Sequence, residues 1–237
     1  MYFNLKDCDN DLYSKIADQI IAAFEKSADI SNTYHGVRKV NQGCIGKRTA
    51  LFPSHKNKGM IAVESRLELA HAISLERNPL VISYRTQALK IALSEKEWVY
   101  PDFLIKYNDR YAVHEIKPNK EFLSNREINK FQRLEQILLA SNVDFKIIDQ
   151  YELFNEEQVS IILFFYQRAH LQDWSEYQIY LARNLFNHIK TLTLQEIYTH
   201  LQTNGLPPEL GDYLIFHNYI KYLKDQNLSP LLHPKGI

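Results

Sequence analysis

The chain has 237 residues, with 28 Lys+Arg balanced by 28 Asp+Glu, 45% hydrophobic residues, 7 Gly and 8 Pro. That composition excludes a collagenous, low-complexity or broadly disordered chain and leaves room for one or two packed domains. A net charge of zero argues at first against a nucleic-acid partner, but the charge is unevenly placed. Residues 1–30 carry a net −3, and residues 61–158 carry 13 bases against 16 acids. Residues 31–60 hold six bases (Arg38, Lys39, Lys47, Arg48, Lys56, Lys58) and no acid. Such a segment reads either as a solvated loop or as an arm for phosphates. Cys8 and Cys44 cannot build a disulfide framework, and no Cys/His spacing suits zinc. The acidic start of the chain lacks a secretory signal. The longest apolar run, near 161–166, is far short of the roughly 20 residues that span a bilayer. A soluble protein of a reducing compartment is expected.

In chain order, Leu12, Ile16, Ile20 and Phe24 recur every four residues and predict a helix over about 10–28. The basic segment 31–60 follows as a loop. Residues 61–77 read as a second helix, stopped by Asn78-Pro79. Strand-like runs come next at 81–84 with 87–93, at 98–106 and at 111–117, and Pro118 ends the last of them. Periodicity returns over 124–141 (Ile128, Phe131, Leu134, Ile137, Leu138), followed by a strand at 143–148. The expected fold class is therefore α/β, with a central mixed sheet flanked by helices. Beyond about residue 155 the chain reads as mainly helical, at 156–170 and 177–189. Thr193 and Glu196 form a capping box for a further helix, and Asn204-Gly205 ends it. Pro207-Pro208 opens the last one. The predicted domains are 1–155 and 156–237, the second small and helical, with a winged-helix-like arrangement as one option.

Three spots carry chemistry. Glu64 and Glu68 share a helix face, four residues apart. Tyr100-Pro101-Asp102-Phe103 lies within the second strand run. In His114-Glu115-Ile116-Lys117, alternation sends Glu115 and Lys117 to one face and His114 to the other. A Glu and a Lys side by side near an Asp are costly to bury unless a metal or counter-ion compensates them. Phosphodiester hydrolysis needs such a set: carboxylates for a hard divalent ion, and a lysine for developing negative charge. Gln87 reads as structural rather than catalytic, and His114 as a sheet or core histidine. His35, His55 and His71 do not fall into metal-ligand spacing. The Phe164-Phe165-Tyr166 stretch reads as core.

Residues 61–118 resemble the PD-(D/E)XK nucleases, and more closely the TnsA-like endonuclease subunits of heteromeric transposases. The resemblance is carried by Ser65-Arg66-Leu67-Glu68, Asn78-Pro79-Leu80-Val81, Gln87, Tyr100-Pro101-Asp102-Phe103 and Glu115-Ile116-Lys117. The upstream Phe52-Pro53-Ser54-His55-Lys56 stretch adds to it, and the likeness extends over about 34–150. It implies a restriction-endonuclease-like core at 61–150, with Glu68, Asp102, Glu115 and Lys117 as catalytic residues. Glu68, Asp102, Glu115 and the Ile116 carbonyl would be the metal ligands, with Glu64 as the rival helix carboxylate. The family's glutamine two residues before the lysine, found in some members, is here Glu115. The cofactor implied is Mg²⁺, two ions per site, with Mn²⁺ able to substitute. The partners implied are double-stranded DNA at transposon ends, a DDE-type transposase subunit (TnsB-like) and an AAA+ ATPase regulator (TnsC-like) met through the C-terminal region, with no membrane. The setting implied is prokaryotic cytoplasm, at the nucleoid when assembled. Lys47, Arg48, Lys56 and Lys58 are the candidate DNA contacts. Two other readings stay open: a stand-alone restriction or repair nuclease, and a non-catalytic DNA-binding or assembly module.

Overall fold

The computed structural model describes residues 5–38, 49–187 and 192–223, and the chain separates into two compact units, residues 1–154 and 155–237. The first unit opens with α1 (Leu5–Glu25), which buries Ile16 and Ile20. Three short strands follow: β1 (Thr33–Tyr34), β2 (Ala50–Ser54) and β3 (Gly59–Val63). They form a sheet in the order β1-β3-β2, with β1 parallel and β2 antiparallel to β3. The segment expected as a loop over 31–60 is thus partly sheet.

The helix expected from residue 61 starts later, as α2 (Arg66–Arg77). Ile61 and Val63 are fully buried in β3, where Phe52 and Ala50 are their partners. A β-branched pair on alternate positions suits a pleated ladder better than a helix. The helix begins only where the Ser65 side chain accepts the Glu68 N–H, at 3.0 Å, satisfying one of the open donors of the first turn.

The main sheet has the order β4-β7-β8-β9, formed by β4 (Ser83–Thr86), β7 (Phe103–Lys106), β8 (Tyr111–Lys117) and β9 (Val143–Asp149). The β4/β7 and β7/β8 pairs are antiparallel and β8/β9 is parallel, so the sheet is mixed. Between β8 and β9 runs α3 (Asn125–Ala140), which opens with a Ser124/Glu127 capping box. The run expected as one strand over 98–106 is two. β5 (Ile91–Ser94) and β6 (Glu97–Val99) pair with each other as a separate ribbon, because Pro101 has no N–H for a ladder. On one face of the main sheet, Leu104 and Val113 pack with α1, α3 and this ribbon: Ile16, Ile20, Leu89, Ile91, Phe131, Leu134 and Leu138 join one apolar core. Phe103 and His114 point to the other face, where His71 of α2 meets both.

The second unit holds α4 (Glu156–Ala169), α5 (Glu176–Phe186), β10 (Leu192–Thr193), α6 (Leu194–Thr203), α7 (Glu209–Phe216) and β11 (Tyr222–Leu223). Capping boxes start three of its helices: Asn155/Gln158, Ser175/Gln178 and Thr193/Glu196. Gly205, at φ +72, supplies the left-handed residue after α6. Asp212 is fully buried and accepts from Arg168 Nε at 2.8 Å and Tyr198 Oη at 2.5 Å, tying α4 and α6 to α7. Among the described residues no helix is long and apolar enough to cross a membrane.

Asp212→Ala leaves two donors unmatched at a fully buried position and should cost the second unit about 2–3 kcal/mol, seen as a lower thermal transition. In the first unit, the His71 Nε2 and His114 Nδ1 atoms lie 3.1 Å apart, an arrangement that needs at least one neutral ring. Burial pushes His114 down to about 4 and His71 well below the ordinary range. With folded values depressed, the unfolded chain takes up protons first. Stability is therefore full above the ordinary histidine value of about 6.5 and falls as pH drops toward 4. Urea midpoints should decline over that window, and His71→Gln should flatten the decline.

Candidate functional site

The ionisable residues gather where two strands leave the main sheet together. The β4/β7 ladder ends at Thr86↔Phe103. The next residues on each side, Gln87 and Asp102, are joined by the Gln87 N–H donating to the Asp102 carbonyl at 2.9 Å. Gln87 is buried at φ +48, a left-handed conformation that turns the chain out of the sheet plane. Gly36 sits against this turn: a Cβ there would lie 2.4 Å from the Gln87 carbonyl oxygen and 2.5 Å from that of Thr86. The Val37 N–H donates to the Gln87 carbonyl at 2.9 Å. Arg38 donates from Nε to Gln87 Oε1 at 2.8 Å and from its terminal nitrogen to Glu64 Oε2 at 2.6 Å.

Beyond the ladder's end, the Asp102 side chain replaces a neighbouring strand, because its Oδ2 accepts the Ile116 N–H at 2.7 Å. Alternation along β8 puts Glu115 and Lys117 on the face of Val113. There the Lys117 ammonium donates to Glu115 Oε1 at 2.8 Å and stands 5.3 Å from the centre of the Phe131 ring of α3. Glu115 is 5% exposed, and its Oε2 is buried with no hydrogen-bond partner. Burial, then the nearby Glu115 and Glu68 carboxylates, push Asp102 up to about 7. Burial likewise raises Glu68. For Lys117 burial opposes the charge, but Glu115, Asp102 and Glu127 together outweigh it and hold the ammonium above its ordinary value.

Glu68 is turned toward its own helix start. Its Oε2 accepts the Glu64 N–H at 2.8 Å, and its Oε1 accepts the Ser65 hydroxyl at 3.1 Å. Among the described residues, accordingly, no three His, Cys, Asp or Glu side chains already stand as a ready metal cluster. The donor set nonetheless fits a hard divalent cation: crowded carboxylates, one buried oxygen without a donor, and a charge excess that a cation would relieve.

The residues predicted as DNA contacts fare unequally. Lys47 and Arg48 lie outside the described residues. Lys58 is exposed at the β2–β3 turn, at φ +53. Lys56 is a correction: its ammonium donates to the carbonyls of Asn78 and Val81, closing the C-terminal end of α2 instead of reaching out to a phosphate. Carbonyl oxygens left open at a helix end attract a cation. Arg38, which no motif marked, proves to link Glu64 with Gln87. Its one sequence signal was its place in the acid-free basic segment.

If the Gly36 contact holds the strand departure in place, Gly36→Ala should cost about 1–3 kcal/mol through overpacking against backbone. It should also move the Ile116 amide resonance, because Asp102 hangs from the displaced turn. Thermal melts and amide NMR measure both.

Against this geometry, the chain was found to match a known family. The profile described as TnsA-like endonuclease N terminal covers residues 73–150. Asp102, Glu115 and Lys117 fall inside it, while Glu64 and Glu68 precede it and the second unit lies beyond it. A comparison with curated proteins found no match. The match thus runs from the last turns of α2 through β9, and over that stretch the chain is similar to the TnsA-like endonuclease N-terminal domain.

Proposed function

We propose that this protein is a metal-dependent DNA endonuclease subunit of a transposase with a PD-(D/E)XK core. It cuts the 5′ ends of a mobile element together with a DDE-type transposase. The observation that carries the reading is the buried, partnerless Oε2 of Glu115, whose other oxygen takes the Lys117 ammonium and whose charge acts on Asp102, within the stretch similar to TnsA-like domains. Asp102, Glu115 and the Ile116 carbonyl would hold Mg²⁺, with Mn²⁺ able to replace it and two ions per site. Glu68 would join on giving up its bonds to Glu64 and Ser65, and it is favoured over Glu64, whose carboxylate is held by Arg38. When bound, the ion supplies a polarised phosphoryl oxygen and a water of lowered pKa.

The chain's own residues supply the rest. Lys117, kept charged by its carboxylate neighbours, is a fixed cation for the negative charge that develops on the phosphate, not a proton acceptor. Asp102, buttressed by the Ile116 N–H and by the Gln87 turn, is fixed in orientation. Phe131 covers Lys117 from the α3 side and limits water there. The helical second unit is the proposed contact for an AAA+ regulator. DNA ends and the transposase are the remaining partners implied by the family, with cytoplasm and nucleoid as the setting.

A nicking assay on transposon-end DNA, with and without the co-encoded transposase, in Mg²⁺ and in EDTA, tests the reading. Cutting at 5′ ends should require metal. Asp102→Ala and Lys117→Ala should each lower it by at least about 10²-fold, with a thermal melt checking that each variant is folded at the assay temperature. Asp102→Ala that still cuts at the wild-type rate would end the assignment. Cutting without any partner would favour a stand-alone nuclease.

A further inference from the structure

The turn of the β5–β6 ribbon and the outer side of α3 enclose an open groove of about 650 Å³, lined by Lys96, Glu97, Arg126, Asn129, Lys130 and Arg133. Four bases face one acid, and no apolar side chain lines it. Arg126, Lys130 and Arg133 stand at helical spacing on a single face of α3. Glu97 and Arg133 offset each other in part, at 3.4 Å. Arg133 is further anchored on the Leu93 carbonyl, which fastens the ribbon to the helix. The excess positive charge therefore rests with Lys96, Arg126 and Lys130.

Helix α3, which forms one side of the groove, packs on the face of the sheet to which Glu115 and Lys117 point. The Lys130 and Lys117 ammoniums both lie against the ring of Phe131, 5.2 and 5.3 Å from its centre. A chain of phosphates lying along α3 would thus run from the groove toward Lys117 and Glu115.

We infer that the α3/β5–β6 groove is the track for a DNA sugar–phosphate backbone, leading one strand of the duplex to the carboxylate cluster. The choice of DNA rests on the nuclease reading above. The physical fit is independent of it. Seven residues of helix from Arg126 to Arg133 advance about 10 Å, roughly three nucleotide steps of one strand at about 3.4 Å each. A site for a backbone should be polar and positive, whereas the core of a protein partner's site is aromatic and apolar. Averaged over residues 61–158 the bases are outnumbered, so only folding makes the groove visible.

The test uses the full chain and a mixed-sequence DNA duplex, with binding followed by fluorescence anisotropy over a range of salt in EDTA. Lys96→Gln/Arg126→Gln/Lys130→Gln is compared with Lys15→Gln/Lys90→Gln/Lys221→Gln, which removes the same charge elsewhere on the exposed surface. The groove variant should bind roughly tenfold or more weakly. Its salt slope should be shallower by about 0.9 for each phosphate that the variant no longer neutralises, while the control keeps the wild-type slope. Melting temperatures check that both variants fold. Equal affinity and slope for wild type and groove variant overturn the proposal and leave the groove to an acidic protein partner. Absence of duplex binding by wild type at low salt overturns it too. Wild type that binds through the groove yet never cuts, with metal and transposase present, refutes the nuclease reading and keeps the track. A groove variant that cuts and binds as wild type does the reverse.

Discussion

The Asp102 carboxylate accepting the Ile116 N–H is the contact on which the cluster depends. It stands where a strand would otherwise continue, and it closes the open edge of β8 with an anion in place of a carbonyl. Two kinds of backbone restriction bring it there: Pro101, which cannot donate, and Gln87, whose positive φ takes the opposite strand away at the same level. The ribbon that leaves at this point then folds back over α3 and fills the core with Leu89, Ile91 and Leu93. One departure from the sheet thus creates both the edge that Asp102 caps and the wall of a basic groove.

The electrostatic consequence is a local excess of negative charge in a chain with none overall. Burial denies Asp102 and Glu68 water and raises the proton affinity of each, and the Glu115 and Glu68 carboxylates add to the rise at Asp102. Lys117 offsets part of this, and the partnerless Glu115 oxygen shows that the balance is incomplete. A site left short of positive charge and buried against a rigid sheet edge is suited to take up a cation and a phosphate together. In the proposed nuclease, like charges that cost stability when crowded together would serve as ligands to the cation.

Helix α2 links this cluster to the other face of the sheet. Its first turn carries Glu68, its middle His71 against Phe103 and His114, and its last turns the buried Glu76, which accepts from Tyr84 Oη at 2.8 Å and from the Ser54 hydroxyl. Lys56 completes that end by donating to backbone carbonyls. A residue of the basic segment is thereby spent on holding the helix that presents Glu68.

Sequence by itself determined the α/β class, the 111–117 strand with the helix and strand that follow it, and the Thr193 start of α6, because hydrophobic period and capping chemistry are local. It also determined that Glu115 and Lys117 share a face, since strand alternation needs no partner. The start of α2 was misplaced because Ile61-Ala62-Val63 fits either period, and only pairing with β2 selects the strand. The split of the 98–106 run, the left-handed Gln87 and the Arg38 bridge to Glu64 were decided by contacts between distant segments. So were the loss of Lys56 to backbone carbonyls and the collection of Lys96 with Arg126 and Lys130. Charge is additive along a chain but acts through space, so a sum of zero held a carboxylate cluster and a basic groove that only the tertiary structure could separate.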